Sequence, residues 1–298
     1  MRVGLIDVDS HNFPNLAMMK ISAYHKAKGD EVEWWWGWGQ YDKVYMSKVF
    51  DDTYSPDHPE PVNAKEIIKG GTGYGLDNKL PDEIEHMMPD YSLYPELTKN
   101  TAYGFLTRGC PNNCPFCIVC AKEGRKSCKV ADLSEWWSGQ KNIVLCDPNL
   151  LACREHMDLL KQLADSRAWV DMNQGMDARM LTEENINALN KVKIKTIHFA
   201  WDLMDRSEAI LKGLNMYLDH GKIKDHRRRL CYVLTNFNTT MEENLYRIYT
   251  LRDMRYEPYV MVYDKPNAPK EIKQLQRWCN NKFIFNKCPN FDDYLRKG

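Results

Sequence analysis

The chain has 298 residues, of which 43% are hydrophobic, and its 41 basic residues balance 41 acidic ones. This composition can bury a sizeable core, which excludes a disordered chain and a disulfide-stapled scaffold. The zero net charge gives no whole-chain attraction for nucleic acid or an anionic membrane. No apolar run approaches the roughly 20 residues needed to span a bilayer, and the N-terminus lacks the features of a signal peptide. We therefore expect a cytoplasmic protein without membrane contact.

The first ninety residues predict a small Rossmann-like α/β domain. Its predicted elements are a strand at 2–8, a helix at 16–27 and strands at 31–36 and 43–50. A glycine-rich turn at 70–75 follows, and the proline- and acid-rich stretch 80–95 predicts a linker. This domain is shorter, by about a strand and a helix, than an ordinary doubly wound domain.

Residues 91–298 predict a second domain in which strand and helix alternate six times. The predicted strands are 102–106, 142–146, 169–173, 196–201, 230–235 and 259–263, and the predicted helices are 131–137, 155–165, 183–191, 206–219, 240–254 and 270–279. A capping box of Thr239 and Glu242 marks the fifth helix. Six βα units predict either an open doubly wound sheet or a partly closed βα barrel, and periodicity alone does not choose between them.

The cysteines carry the clearest chemical signal. Five of the ten lie between residues 110 and 128, a bias toward metal binding because disulfides are rare in a reducing compartment. Cys110, Cys114 and Cys117 are spaced C-x-x-x-C-x-x-C on a proline-containing loop after the first strand of the repeat. Three such thiolates can hold three corners of a cubane iron–sulfur cluster and leave one iron open. A structural zinc with Cys120 or Cys128 as fourth ligand is the alternative.

This arrangement resembles the radical S-adenosylmethionine (SAM) superfamily. The shared features are the cysteine spacing, the aromatic Phe116 before the last cysteine, and the six-unit repeat after the loop. The chain is also similar to the subgroup with a small cobalamin-binding-type domain ahead of the barrel. The segments KVFDDTYSPD, IKGGTGYG, TRGCPNNCPFCIV and DPNLLAC resemble a bacterial and phage group within it, for which no substrate is established.

The resemblance implies a fold, cofactors and a reaction. The fold would be a small Rossmann-like domain at 1–90, then a partial (β/α)6 TIM-like barrel at 91–298 with a C-terminal helical extension. Cys110, Cys114 and Cys117 would bind a [4Fe–4S] cluster whose open iron is chelated by the amine and carboxylate of SAM. With an electron from a reductant such as flavodoxin or ferredoxin, SAM would be cleaved to a 5′-deoxyadenosyl radical. That radical would abstract hydrogen from an unidentified substrate, and nucleic acid is one candidate.

Ligands of βα barrels gather where the strands end, so these ends supply the expected SAM site. Members of the superfamily commonly end the second strand in Gly-Gly-Glu, which meets the methionine amine. This chain departs from that pattern, and Asp147 is the best substitute, while Arg179 is placed for the carboxylate. No catalytic residue is assigned. The candidate cofactor-binding and nearby polar residues are Phe116, Asp147, Asn149, Asn173, Gln174, Asp177, Arg179, Asp202, Asn236 and Asp264.

Two other functions stay open. A cobalamin-dependent methyltransferase of the same superfamily is disfavoured, because the segment Asp9-Ser10-His11 lacks the glycine of the Asp-x-His-x-x-Gly cobalamin loop. A metal-stabilised nucleic-acid-binding module would use a tryptophan run at 34–38 and a basic cluster at 227–229. The remaining cysteines give no dense motif for an auxiliary cluster; Cys120, Cys128, Cys153 and Cys288 are the available thiols, and Cys146, Cys231 and Cys279 predict core thiols.

Overall fold

A computed structural model describes residues 1–297 of the chain. Its strands are β1 (Arg2–Asp7), β2 (Glu31–Trp34), β3 (Tyr41–Ser47), β4 (Ala64–Gly70), β5 (Thr101–Gly104), β6 (Thr107–Arg108), β7 (Cys128–Lys129), β8 (Asn142–Leu145), β9 (Trp169–Met176), β10 (Lys193–Ala200), β11 (Arg229–Thr235) and β12 (Glu257–Val262). Within these residues, no helix combines the length and the apolar character needed to cross a membrane.

The helices alternate with these strands. They are α1 (Leu16–Ala27), α2 (Asp82–Glu85), α3 (Pro95–Thr98), α4 (Val119–Glu123), α5 (His156–Ser166), α6 (Glu183–Leu189), α7 (Ser207–His220), α8 (Met241–Asp253), α9 (Lys270–Asn280), α10 (Lys282–Lys287) and α11 (Phe291–Lys297). The alternation confirms an α/β fold.

Two sheets organise the chain. The smaller has the order β2-β1-β3-β4 with parallel neighbours throughout. The larger has the order β12-β11-β10-β9-β8-β5 and is parallel from β9 to β12. In the larger sheet the strand order follows the chain without the reversal that defines a doubly wound sheet. The sheet does not close within the described residues.

Contacts between Cα atoms divide the chain into two units. The first unit holds Met1–Leu106 and Val130–Val144, and the second holds Thr107–Lys129 and the chain from Leu145 onward. This division differs from the predicted boundary at residue 90. The stretch predicted as a linker packs into the first unit, because Ile84 joins the core of Val3, Leu5, Met18 and Ile21.

In the second unit, the strands have one fully buried face and one face that is partly exposed. Val170, Ile197 and Val233 are fully buried, as expected of the face that parallel strands turn toward helices. Between them Asp171 and Tyr232 keep partial exposure. The predicted core thiols Cys146, Cys231 and Cys279 are all buried, which confirms that prediction.

Several predicted elements differ from the structure. Residues 131–137 form only a 3-10 turn (Leu133–Glu135) rather than a helix. The capping box of α8 lies one residue later than predicted, because the Thr240 hydroxyl accepts from the Glu243 N–H and the Glu243 carboxylate accepts from the Thr240 N–H. The glycine turn after β4 is structural in part: Gly71 has φ 93°, and a Cβ there would lie 2.3 Å from the Lys48 carbonyl oxygen.

Candidate metal centre

The cysteine loop is closed at its base by short contacts within the second unit. Arg108 Nη1 donates to Glu123 Oε1 at 2.7 Å, and the Gly109 N–H donates to Glu123 Oε2 at 3.1 Å. The Cys110 N–H donates to the Gly124 carbonyl at 3.2 Å. Gly109 has φ 85°, and a Cβ there would lie 2.2 Å from the Lys126 carbonyl oxygen, so this position requires glycine. These contacts hold the first residues of the loop next to its last residues.

The three predicted ligand thiols have different surroundings. Cys110 Sγ accepts a hydrogen bond from Asn149 Nδ2 at 3.6 Å, and Cys114 Sγ accepts one from Arg206 Nη1 at 3.6 Å. Cys117 is exposed, and its N–H donates to the Cys114 carbonyl at 3.0 Å. Cys114 and Cys117 line a cavity of about 300 Å³. The loop thus presents its thiols beside both a cation and an amide.

Electrostatics at the thiols follow from partial burial. Burial raises the pKa of Cys114, and the Arg206 guanidinium opposes this rise. Burial likewise raises the pKa of Cys117. Among the described residues, no group of three or more His, Cys, Asp or Glu side chains is arranged around a single point that would hold one metal ion.

Asp147 and Asn149 lie after β8, as predicted, but contact different groups. Asp147 Oδ2 accepts from the Thr107 N–H at 2.8 Å and from Thr107 Oγ1 at 2.6 Å, which ties the end of β8 to β6. Asn149 is only 3% exposed, and its Oδ1 is buried with no hydrogen-bond partner among the described residues. Both residues line a cavity of about 10 Å³, close to the size of one water. The Asn149 oxygen can therefore still accept a hydrogen bond.

Asp177 and Arg179 pair with each other. Arg179 Nε and Nη2 donate to Asp177 at 2.8 and 2.6 Å, and Asn112 Nδ2 of the cysteine loop donates to Asp177 Oδ2 at 2.8 Å. Burial would raise the pKa of Asp177, but these hydrogen bonds hold it below its ordinary value. The Arg179 fork is therefore engaged by protein, whereas the sequence analysis assigned it to an external carboxylate.

Sequence reasoning missed two arginines. Arg206, in the turn before α7, contacts Cys114 Sγ and places Nη2 3.5 Å from the Asn112 carbonyl. Its one signal in the sequence is its position after the fourth strand of the repeat, among the strand ends where ligands of βα barrels gather. Arg247 is fully buried on α8 and donates to the carbonyls of Trp201 and Leu234 at 2.7 and 2.8 Å. The sequence around Arg247 does not show that its side chain reaches carbonyls far away in the chain.

Burial raises the pKa of Asp202, the predicted residue after β10, to about 6, while Arg247 and Arg206 oppose the rise. Burial in turn lowers the pKa of Arg247 to about 10. Arg247 Nη1 also donates to the Asp202 carbonyl at 3.0 Å. Asp202 is thus a half-buried acid that interacts electrostatically with two arginines.

The other predicted residues contact groups away from the thiols. The Phe116 ring meets Phe237 edge to face at 5.4 Å. Asn236 Nδ2 donates to the Tyr263 carbonyl at 2.8 Å, and the Asn173 carbonyl accepts from the Tyr232 hydroxyl at 2.9 Å. The two remaining predicted residues are an exposed Gln174 and an Asp264 that accepts from Asn267. The contacts bring together Cys110 with Asn149, and Cys114 with Arg206.

The residues of the predicted nucleic-acid surface have different surroundings in the two units. In the first unit, Trp34, Trp36 and Trp38 are exposed, Trp38 by 75%. In the second unit the basic cluster is largely engaged. Arg227 pairs with Asp225 at 2.9 Å, Arg228 Nε donates to the Lys195 carbonyl, and Arg229 is buried and donates to the Arg255 carbonyl. These guanidiniums are held by protein groups.

Comparison with known proteins assigns no family. No protein-family model matches the chain, and no curated protein is significantly similar to it.

Proposed function

We propose that this protein is a radical SAM enzyme that holds a [4Fe–4S] cluster on Cys110, Cys114 and Cys117. The observation that carries the proposal is the loop itself. It is closed at its base, carries three cysteines, and lies beside an arginine at Cys114 and, at Cys110, an amide whose oxygen has no donor among the described residues. Soft sulfur donors favour iron–sulfur clusters and zinc over hard cations.

The surroundings of the loop favour a cluster over a structural zinc. Zinc sites usually pair two short cysteine motifs across a longer gap. Here three cysteines lie in one loop, which precedes a run of parallel strands alternating with helices. With an electron supplied by a protein such as flavodoxin or ferredoxin, the bound cluster would support reductive cleavage of SAM to a 5′-deoxyadenosyl radical that takes hydrogen from the substrate.

The fold is consistent with this proposal. A sheet whose strand order follows the chain turns all its crossovers the same way, as the wall of a βα barrel does. We interpret the larger sheet as a partial (β/α)6 TIM-like barrel and the smaller as a reduced Rossmann-like domain. The cysteine loop follows β6, next in the chain after β5 at one end of the strand order.

The protein's own groups suit the amine and the carboxylate of the methionyl moiety. Asn149 Oδ1 lacks a donor within the described part of the chain and would accept from an N–H of the amine. Arg206 touches Cys114 through a long hydrogen bond to sulfur, so its guanidinium retains capacity for a carboxylate. Asp147 and the Asp177–Arg179 pair would hold the loop in place, through Thr107 and Asn112 respectively.

Anaerobic turnover tests the proposal. Reconstituted protein incubated with SAM and dithionite should form 5′-deoxyadenosine, measured by mass spectrometry. A variant with Cys110, Cys114 and Cys117 replaced by alanine should form none, and Cys128→Ala, which removes an exposed thiol of the same segment, should match the wild type. A fully iron-loaded wild type that forms no 5′-deoxyadenosine would contradict the proposal. Stoichiometric retention of hydroxocobalamin after gel filtration would instead favour the methyltransferase.

A further inference from the structure

A fourth thiol lies at the same cavity as the predicted ligands. Cys120, on α4, lines the cavity of about 300 Å³ together with Cys114, Cys117 and Arg125. Its Sγ–H donates to the Cys110 carbonyl at 2.9 Å. Cys117 interacts electrostatically with both Cys110 and Cys120. Four thiols therefore share one loop, and three of them share one cavity.

The other cysteines are in different situations. Cys128 is exposed on β7 and does not line this cavity. The remaining five thiols are buried in the protein, and they are Cys146, Cys153, Cys231, Cys279 and Cys288. Cys120 thus differs from them by being partly accessible and directed at the loop that carries the predicted ligands.

Chemistry gives this thiol a role. Iron–sulfur cubanes are usually held by four cysteines, and three thiolates leave one iron with an open position. An open iron is readily lost or oxidised, and a thiolate nearby would occupy it. Because α4 has only five residues and ends at Gly124, which has φ 96°, the segment that carries Cys120 is short and bounded by a glycine.

We propose that Cys120 is an exchangeable fourth ligand, which binds the open iron when SAM is absent and leaves when SAM binds. This inference rests on the proposed function. On exchange, the iron–sulfur bond to Cys120 breaks, the ammonium of SAM releases one proton to solvent, and the freed thiolate takes one proton from solvent. Two bonds to the iron form from the amine and the carboxylate of SAM, and no electron is transferred. A chelate of two donors displaces one thiolate more readily than a single donor would.

Oxidation of the loaded protein tests the exchange without measuring activity. Wild type, Cys120→Ala and Cys128→Ala are reconstituted anaerobically, treated with ferricyanide, and examined by electron paramagnetic resonance for a [3Fe–4S] signal. Without SAM, we expect Cys120→Ala to lose the fourth iron several-fold faster than the wild type and Cys128→Ala. With saturating SAM, all three proteins should behave alike, because the open iron is then covered in each.

SAM affinity gives the second readout. If the closed form is populated to about 90%, the apparent affinity of the wild type is about tenfold weaker than that of Cys120→Ala. Isothermal calorimetry on the loaded proteins measures this ratio, and Cys128→Ala should match the wild type.

Two results would overturn the inference, and they are distinguishable. Equal [3Fe–4S] yields and equal SAM affinities in wild type and Cys120→Ala would show that Cys120 does not bind iron, while leaving the proposed function intact. A wild-type cluster that keeps Cys120 as a permanent ligand, and binds SAM only after Cys120→Ala, would exclude exchange and also contradict the proposed function.

Discussion

The ends of the parallel strands differ in character between the two sheets. In the smaller sheet, polar groups beyond the strand ends are satisfied by neighbours: Asp9 is 1% exposed and accepts from the N–H groups of Val49 and Phe50 at 2.7 and 2.9 Å. In the second unit, Asn149 Oδ1 is buried without a donor, and Arg206 makes only long contacts. Polar groups beyond the strand ends are therefore hydrogen-bonded within the protein in the first region and partly without close partners in the second.

In the second unit, Arg247 is the clearest case of a structural polar group, because it is fully buried and donates to main-chain carbonyls. Arg247→Met would remove the side-chain donor to the carbonyls of Trp201 and Leu234, so we expect apo-protein stability to fall by about 3–5 kcal/mol. Urea unfolding followed by circular dichroism measures this loss. Arg277→Ala, on the exposed side of α9, is the matched control and should change stability by less than about 0.5 kcal/mol. Equal effects would show that Arg247 is not a structural cross-link.

Alanine substitutions at Asp9 and Asn149 compare a hydrogen-bonded side chain with one whose oxygen has no partner among the residues that the structure describes. Asp9→Ala removes two charge-assisted acceptors, so the free energy of unfolding should fall by about 2–4 kcal/mol.

Asn149→Ala removes an acceptor without a donor, so we expect weaker SAM binding by about tenfold, with little loss of stability and with the cluster spectrum retained. Calorimetry on loaded Asn149→Ala decides it, since unchanged SAM affinity would remove Asn149 from the site.

The two arginines near the cysteine loop differ in the same way. Arg179 is engaged by Asp177, whereas Arg206 reaches Cys114. We expect Arg206→Ala to weaken SAM binding by about ten- to a hundredfold, the effect of losing one charge-assisted contact. Arg179→Ala should weaken binding less and lower apo-protein stability more, because Asp177 then loses its only charged hydrogen-bond partner among the described residues and keeps Asn112. A larger SAM effect at Arg179 would return the carboxylate contact to the residue that the sequence favoured.

Asp202 provides the smallest expected effect. Its pKa of about 6 in the folded protein lies above the usual aspartate value, so the folded state binds a proton more tightly than the unfolded state. The contribution of this residue to stability therefore worsens as pH rises from about 4 through 6. Asp202→Asn should stabilise the apo-protein by about 1–2 kcal/mol at pH 7.5 and by almost nothing near pH 4. A benefit that does not vary with pH would contradict this assignment.

Much of the fold could be predicted from the sequence, because strand and helix periodicities are local. The strands from β8 to β12 lie close to their predicted positions. The stretch 80–95 is anchored to a core rather than being a free linker, since Ile84 packs against residues far away in the chain. Prolines and acids describe local preference and do not report such contacts.

The candidate site was predictable where the residues are close in sequence. The three cysteines could be found by spacing alone. The pairing of Arg179 with Asp177, the orphaned oxygen of Asn149 and the approach of Arg206 to Cys114 depend on contacts between distant segments. Residue chemistry could therefore nominate Asp177, Arg179 and Asn149 but not Arg206, and only three-dimensional contacts show which protein groups each of them meets.

The most direct test of the central claim is the iron and sulfide content of anaerobically reconstituted protein. We predict about four irons and four sulfides per chain, with broad absorption near about 400 nm, for the wild type and for Cys128→Ala. The variant lacking Cys110, Cys114 and Cys117 should retain neither metal nor colour. A triple variant that keeps its iron, or a wild type that holds one zinc and no sulfide, would contradict the assignment of this loop to an iron–sulfur cluster.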